Sequence, residues 1–233
     1  MSTTTALNLS RGRIEVFLII GVAIFFVLGS LMEVSYYILE HKRLLGFLRQ
    51  FSLSEEANIP TWYSAMLLMS CAVCLALITC TQDAKENGYR RHWLILCLIF
   101  VYISMDETSV IHEMTIKPLR YGFDLTGIFH YSWVIPAAGL MAIFLISYIG
   151  FLRHLRASSR NRFIIAGLVY VGGAFGTELI IGYHWTTVGE GIVSGMLNVT
   201  QESMEMCGSS LFLSALLRHL EAVSPRFSLA LEP

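Results

Sequence analysis

Residues 192–217 read IVSGMLNVTQESMEMCGSSLFLSALL, an apolar segment that is long enough to cross a bilayer. Its polar side chains lie along one side of the helix that this length predicts: Asn198, Gln201, Glu202, Glu205 and Ser209. A carboxylate in hydrocarbon is costly, and such residues usually face the interior of a helical bundle and serve a function. The segment therefore predicts a transmembrane helix with a polar face turned toward other helices.

The composition of the whole chain agrees with a membrane location. Of 233 residues, 55% are hydrophobic and only 14% are charged. Apolar runs of spanning length predict an all-α, polytopic bundle of about six transmembrane helices, forming one integral membrane domain over residues 1–233. The predicted spans are 16–39, 62–81, 94–113, 131–152, 163–184 and 192–217.

The distribution of basic residues predicts the orientation. With the N-terminus in the cytoplasm, eleven of the sixteen Lys and Arg residues lie on the cytoplasmic side, so the positive-inside rule favours cytoplasmic N- and C-termini. The formal net charge of −1 gives no basic patch for a nucleic acid, which we therefore exclude as a partner. Membrane lipids are the expected surroundings.

The connection after the first span, residues 41–61, has its own pattern. Apolar residues recur at helical spacing beside Arg43, Arg49 and Gln50: Leu44, Leu45, Phe47, Leu48 and Phe51. This pattern predicts a short interfacial helix on the outer surface. The fifth span has five glycines, which predict a close approach to another helix: Gly167, Gly172, Gly173, Gly176 and Gly182.

Acidic residues recur at similar depth in four of the predicted spans. In addition to Glu202 and Glu205, they are Glu33, Asp106, Glu107, Glu113 and Glu178, with no Lys or Arg inside these apolar segments. At ~1.5 Å of rise per residue, Asp106, Glu33 and Glu178 each lie roughly 10 Å below the outer ends of their helices. We expect a carboxylate layer in the outer half of the membrane that needs protons or metal ions.

Histidines lie near the outer helix ends, above these acids. On a regular helix His112 is about 120° from Asp106, so the two need not share a ligand unless the helix end frays. His130 and His184 are at a similar height, so a site of three histidines above the carboxylate layer is conceivable. The candidate metal ligands are Asp106, Glu107, Glu202, Glu205, Glu178, His112 and Glu113. Oxygen-rich sites with few imidazoles favour iron, manganese or zinc, and copper less.

Two sequence blocks carry a resemblance to a known group. Residues 104–107 with 111–113, SMDE and IHE, and residues 202–206, ESMEM, resemble a family of uncharacterised bacterial multi-span membrane proteins. The resemblance implies a bacterial cytoplasmic (inner) membrane and no particular activity. There is also a faint similarity to the alkaline ceramidase superfamily, although the chain lacks that group's His-x-x-x-His in a late span.

Three functions fit these patterns. The first is a metal-binding membrane protein that acts on a lipid or a small hydrophobic substrate, with the catalytic residues unassigned. The second is a non-catalytic subunit or assembly factor of a larger membrane complex, whose partners would be other membrane subunits. The third is a transporter of protons or a divalent cation, for which a chain of acids is well suited.

Overall fold

The computed structural model describes residues 11–41 and 46–224, and within these residues all regular secondary structure is helical. Ten α-helices occur in this part of the chain: α1 (Arg11–Tyr37), α2 (Phe47–Phe51), α3 (Ile59–Cys80), α4 (Gln82–Glu86), α5 (Arg90–Ser109), α6 (Ile116–Gly122), α7 (Val134–His154), α8 (Ala157–Val171), α9 (Glu178–Thr187) and α10 (Ile192–Val223). A π-helical segment, Gly172–Thr177, joins α8 to α9. Two short 3₁₀ helices, His112–Thr115 and Gly127–Phe129, flank α6.

Five helices are long and apolar enough to cross a membrane: α1, α3, α5, α7 and the continuous run Ala157–Thr187. The prediction of an all-helical chain with membrane-length apolar helices is therefore confirmed. The sixth span, the orientation and the single-domain boundary stay predictions.

The predicted span ends differ from the observed helices by up to about two turns. The third span was expected to run to residue 113, but α5 ends at Ser109 because Val110 adopts the left-handed conformation, with φ of 53°. The last helix continues past the predicted residue 217 to Val223, and the first begins at Arg11 rather than residue 16. Arg11 and Arg218 lie outside the predicted spans but belong to these two helices.

Helix α10 is the centre of the bundle and packs against α1, α3, α8 and the π segment. A Cβ added at Gly208 would lie 2.6 Å from the backbone nitrogen of Tyr170, and one at Gly173 would lie 2.9 Å from the Cβ of Met204. Such short distances leave no room for a methyl group. The close approach predicted from the glycine-rich fifth span is observed, with Gly208 of α10 as an additional contact point.

Helix α7 is attached to the bundle mainly near its two ends. At one end the Tyr148 hydroxyl donates to the backbone oxygen of His92 at 2.8 Å, and Phe151 packs edge-on against Trp93 at 4.7 Å between ring centroids. At the other end the Trp133 ring contacts His112 and Phe175. Leu140 and Ile143, in the middle of the helix, are exposed and available to lipid.

The connection between α1 and α3 differs from the expected interfacial helix. The described helix α2 has only five residues, and part of the predicted pattern, residues 42–45, lies outside the described residues. After α2 the chain folds back through residues 52–58. The Asn58 amide nitrogen donates to three backbone oxygens, those of Arg49, Ser52 and Glu55, while its oxygen caps α3 at Thr61. One asparagine thus fixes the shape of this loop.

Candidate functional site

The acids of three helices face one another in the bundle. Glu205 of α10 lies within electrostatic range of Glu107 of α5 and Glu178 of α9, and Glu202 interacts with the same two carboxylates. Glu107 of α5 therefore lies within electrostatic range of both acids of α10. Ser64 of α3 lies beside Glu107 and brings a fourth helix to the cluster.

Asp106 and His112 form a direct pair at the end of α5. The backbone nitrogen of His112 donates to Asp106 Oδ1 at 2.9 Å, and His112 Nδ1 lies 2.8 Å from Asp106 Oδ2. The expected 120° separation applies to a regular helix only, and α5 is not regular here: it ends at Ser109, and Val110 turns the chain back toward Asp106. Both carboxylate oxygens of Asp106 are used in this pair, so the free ring atom of the histidine is Nε2.

Trp133 connects this pair to Glu178. The indole nitrogen donates to Glu178 Oε1 at 3.0 Å, and the indole ring lies 4.7 Å from the His112 ring in a tilted, edge-on arrangement. The π segment before Glu178 widens the helix at this position, and π segments often occur at functional sites. Gln201 lies beside both Glu178 and Glu205, so the carboxylates of α9 and α10 share one amide neighbour.

Glu56, which the sequence pattern did not single out, also belongs to the cluster. It lies in the loop shaped by Asn58, outside the helices. Much of the residue is exposed, but its carboxyl group is partly desolvated beside the cluster. Burial of the carboxyl raises the pKa of Glu56 to about 7, and the charges of Glu113, Asp106 and Glu178 raise the pKa further, while His112 opposes them. Glu56 is thus a loop acid that closes the cluster on the side of the loop.

Glu33 occupies a separate polar pocket. Its Oε1 accepts hydrogen bonds from the hydroxyls of Ser52 at 3.1 Å and Ser54 at 2.8 Å, and its carboxylate packs against the Cα of Gly195. Two hydroxyl donors stabilise the buried carboxyl without a cation. Glu33 therefore holds the loop and α10 against α1. Glu113, by contrast, is exposed and lies at the edge of the carboxylate cluster.

The other two outer histidines do not join His112. Arg120 approaches His130 Nε2 to 2.9 Å, and burial together with the Arg120 charge lowers the pKa of His130. The Nδ1 atom of His184 is buried and has no hydrogen-bond partner among the described residues. A site made of three histidines is not formed, because a guanidinium occupies the surroundings of His130.

The cluster is acidic and lacks basic partners. Among the ion pairs of the described residues, none joins a Lys or Arg to Glu56, Asp106, Glu107, Glu113, Glu178, Glu202 or Glu205. Within the same part of the chain, no three His, Cys, Asp or Glu side chains come close enough together to hold a metal ion. In this arrangement the cluster is a set of carboxyls within electrostatic range of one another, together with one oriented imidazole.

The comparisons place the sequence in a family. The sequence model of the family described as Domain of unknown function (DUF8692) matches residues 16–220. The chain belongs to this family. No curated protein and no solved structure matches it. The expected membership of an uncharacterised family is consistent with this result, whereas nothing in the comparisons shows similarity to the alkaline ceramidase superfamily.

The DUF8692 match includes the whole candidate site. It extends from Val16 in α1 to Leu220 near the end of α10, so Glu56, Asp106, His112 and the acids of α9 and α10 all lie inside it. Arg11 and Glu15 of α1, which pair with Glu221 and Arg218 of α10, lie outside the match, as does Glu221. The family description supplies no activity, so the function has to be argued from the site.

Proposed function

We propose that this protein binds a transition-metal ion between its helices, in the outer half of the membrane, and uses it on a lipid or a small hydrophobic substrate. Iron, manganese or zinc suits the oxygen-rich ligands, and copper suits them less. The imidazole ligand in this proposal is His112, and the carboxylate ligands come from Glu107, Glu178, Glu202 and Glu205. Glu56 and Glu113 lie at the mouth.

The Asp106–His112 pair is the observation that carries this proposal. Histidines that bind metals commonly donate their second ring nitrogen to a carboxylate, which fixes the ring and its tautomer. Asp106 engages Nδ1 and the backbone nitrogen of His112, leaving Nε2 as the ligand atom. In this proposal Asp106 is a positioning residue, and the sequence-based expectation that it is itself a ligand is replaced.

Metal binding requires rearrangement of side chains. No three candidate ligands converge in the described residues, so the glutamates have to change rotamer to reach a common ion. The driving force is electrostatic: several carboxylates in a low-dielectric interior repel one another unless a cation or protons neutralise them. Glutamate side chains on α10 have three rotatable bonds with which to make this adjustment.

The topology that we propose has six spans, with α10 as the sixth. Arg11 at the start of α1 hydrogen-bonds Glu221 near the end of α10, while Glu33 near the end of α1 packs against Gly195 at the start of α10. The two helices are therefore antiparallel over about 33 Å of α1, which matches the ~30 Å hydrocarbon core. We propose cytoplasmic termini and a bacterial inner membrane from the basic residues and the resemblance.

The decisive experiment is elemental analysis of the full chain, purified in a mild detergent. We compare the wild type with His112→Ala and with Glu202→Gln combined with Glu205→Gln, and we use Glu55→Gln as the matched control, since it removes an exposed acid next to Glu56. The proposal expects stoichiometric metal in the wild type and the control, and at least a tenfold loss in the other two. A metal-free wild type after growth with added iron, manganese and zinc overturns it.

Proton or divalent-cation transport is the second candidate, and the position of Glu56 favours it. This loop acid, with a pKa raised to about 7, interacts with Glu107, which in turn interacts with Glu205, so a series of acids runs from the surface inward. At the opposite end Glu15 is paired with Arg218, so this acid does not extend the series. Proteoliposome flux that is unchanged by Glu107→Gln would exclude this alternative.

A further inference from the structure

A second acidic and aromatic cleft lies at the same end of the bundle, away from the carboxylate cluster. Its volume is about 390 Å³, and it is lined by Tyr36 and Tyr37 at the end of α1, by Glu40, and by Glu190 between α9 and α10. The metal proposal uses none of these four residues. The cleft forms where the end of α1 meets the turn into α10.

The two tyrosines form perpendicular walls. Their ring centroids are 4.7 Å apart and the ring planes meet at 81°. Both side chains are half-buried, so each ring is supported by protein and still lines the cleft. The face of an aromatic ring carries partial negative charge and attracts a cation, and two such rings form part of an aromatic cage.

The carboxylates complete the electrostatics of the cleft. The Tyr37 hydroxyl donates to Glu190 Oε1 at 3.1 Å, which holds the acid beside the aromatic walls. Glu40 contributes a second carboxylate, and the residues described as lining the cleft include no Lys or Arg. A cation in this cleft would therefore meet two acids and two aromatic rings.

We propose that this cleft binds an alkylammonium group. A small metal ion gains little from ring faces, whereas a substituted ammonium presents a broad, weakly hydrated cation that suits both tyrosines and carboxylates. The cleft lies at the end of a membrane-length helix, where either a lipid headgroup carrying choline or ethanolamine, or a soluble amine, can reach it. The shared chemistry of these ligands is the alkylammonium.

The test is calorimetric titration of the full chain, in maltoside detergent, with tetramethylammonium chloride, corrected by a sodium chloride titration at equal ionic strength. We compare the wild type with Tyr36→Leu, Tyr37→Leu and Glu190→Gln, and we use Tyr183→Leu, an exposed tyrosine on α9, as the matched control. Saturable binding in the wild type and the control, weakened about fivefold or more in the others, is expected. The absence of saturable tetramethylammonium binding in the wild type overturns the proposal, as does equal affinity in all variants.

Native mass spectrometry then distinguishes the two sources of the group. The protein is transferred from mixed vesicles of phosphatidylcholine and phosphatidylglycerol, and the retained lipids are counted. Selective retention of phosphatidylcholine that is lost in Tyr36→Leu identifies a lipid headgroup. Equal retention of both lipids, together with tetramethylammonium binding, identifies a soluble amine. If the leucine variants do not fold, both the tetramethylammonium titration and the lipid retention are measured on Glu190→Gln, which changes an exposed side chain.

Discussion

His112 Nδ1 lies 2.8 Å from Asp106 Oδ2, six residues earlier in the chain, and the backbone nitrogen of His112 binds the other carboxylate oxygen. This arrangement depends on Val110, whose left-handed conformation ends α5 and allows the chain to turn back on itself. The pair therefore couples the end of a membrane helix to the orientation of one imidazole ring. It is held further by the edge-on contact between His112 and Trp133.

Replacing Asp106 with Asn tests the positioning role. The amide keeps the size of the side chain but has only one acceptor oxygen, so it cannot bind both the backbone nitrogen and Nδ1 of His112, and the ring loses its fixed orientation. We expect metal affinity to fall about 10- to 100-fold. Chelator competition measures it, with Thr108→Ala as a control, because the Thr108 hydroxyl bonds only within its own helix. Unchanged affinity in Asp106→Asn would contradict the role.

Glu56 gives a prediction about pH. Its pKa is raised from 4.5 to about 7 in the folded protein, chiefly by burial and then by Glu113, so the folded state binds the proton more tightly than the unfolded state does. This contribution to stability is complete below pH 4.5 and is lost as the pH rises through 7. We subtract the unfolding temperature of Glu56→Gln from that of the wild type. This difference should decrease as the pH rises from 4.5 to 7. The same measurement on Glu55→Gln is the control, and a flat difference for Glu56→Gln would refute the assignment.

The sequence predicted the helices well because hydrophobic runs of spanning length have few alternatives. It did not predict Ser109 as the end of α5, because Val110 is a β-branched residue, and such residues rarely adopt positive φ. The π segment Gly172–Thr177 has no periodic signature either. Its glycines predicted close packing, but not the wider turn that precedes Glu178.

The candidate site could be predicted in part. The regular rise of a helix predicted acids at one depth, and Glu107, Glu178, Glu202 and Glu205 lie within electrostatic range of one another. Glu56 was missed because it lies in a hydrophilic loop, where charged residues are ordinary. The signal that identifies it is Asn58, whose amide binds three loop carbonyls. Such a clamp becomes visible only when the folded loop is known.

Close packing of α10 on α8 makes Gly208 sensitive to any side chain. A Cβ there would meet the Tyr170 backbone at 2.6 Å, so Gly208→Ala forces the helices apart and should destabilise by about 1–3 kcal/mol. At Gly167, where nothing lies within 4 Å, the same substitution should be neutral or stabilise by up to about 1 kcal/mol through helix propensity. Denaturant unfolding in detergent compares the two. Equal effects at both sites would show that the helices do not pack as described.

Asn58 should control both the loop and the pKa of Glu56. Asn58→Ala removes the donors to Arg49, Ser52 and Glu55 and the cap of α3, and we expect a loss of about 1–3 kcal/mol. Because the loop then releases Glu56, the pH trend predicted for that residue should also disappear. Asn87→Ala, which changes an exposed helix end, is the matched control. If Asn58→Ala loses stability but keeps the pH trend, the loop does not control the pKa of Glu56.

The orientation can be decided by labelling cysteines with an impermeant maleimide. Exposed Cys80 is first replaced by Ser, and then Met114→Cys, Arg153→Cys and Glu221→Cys are made singly. The excess of basic residues predicts that only Met114→Cys reacts in intact spheroplasts, whereas the other two react after permeabilisation. Glu221 is expected on the side of Arg153, because Trp93 contacts both Phe151 near the end of α7 and His219 near the end of α10. Labelling of Glu221→Cys together with Met114→Cys would leave α10 as a helix that does not span.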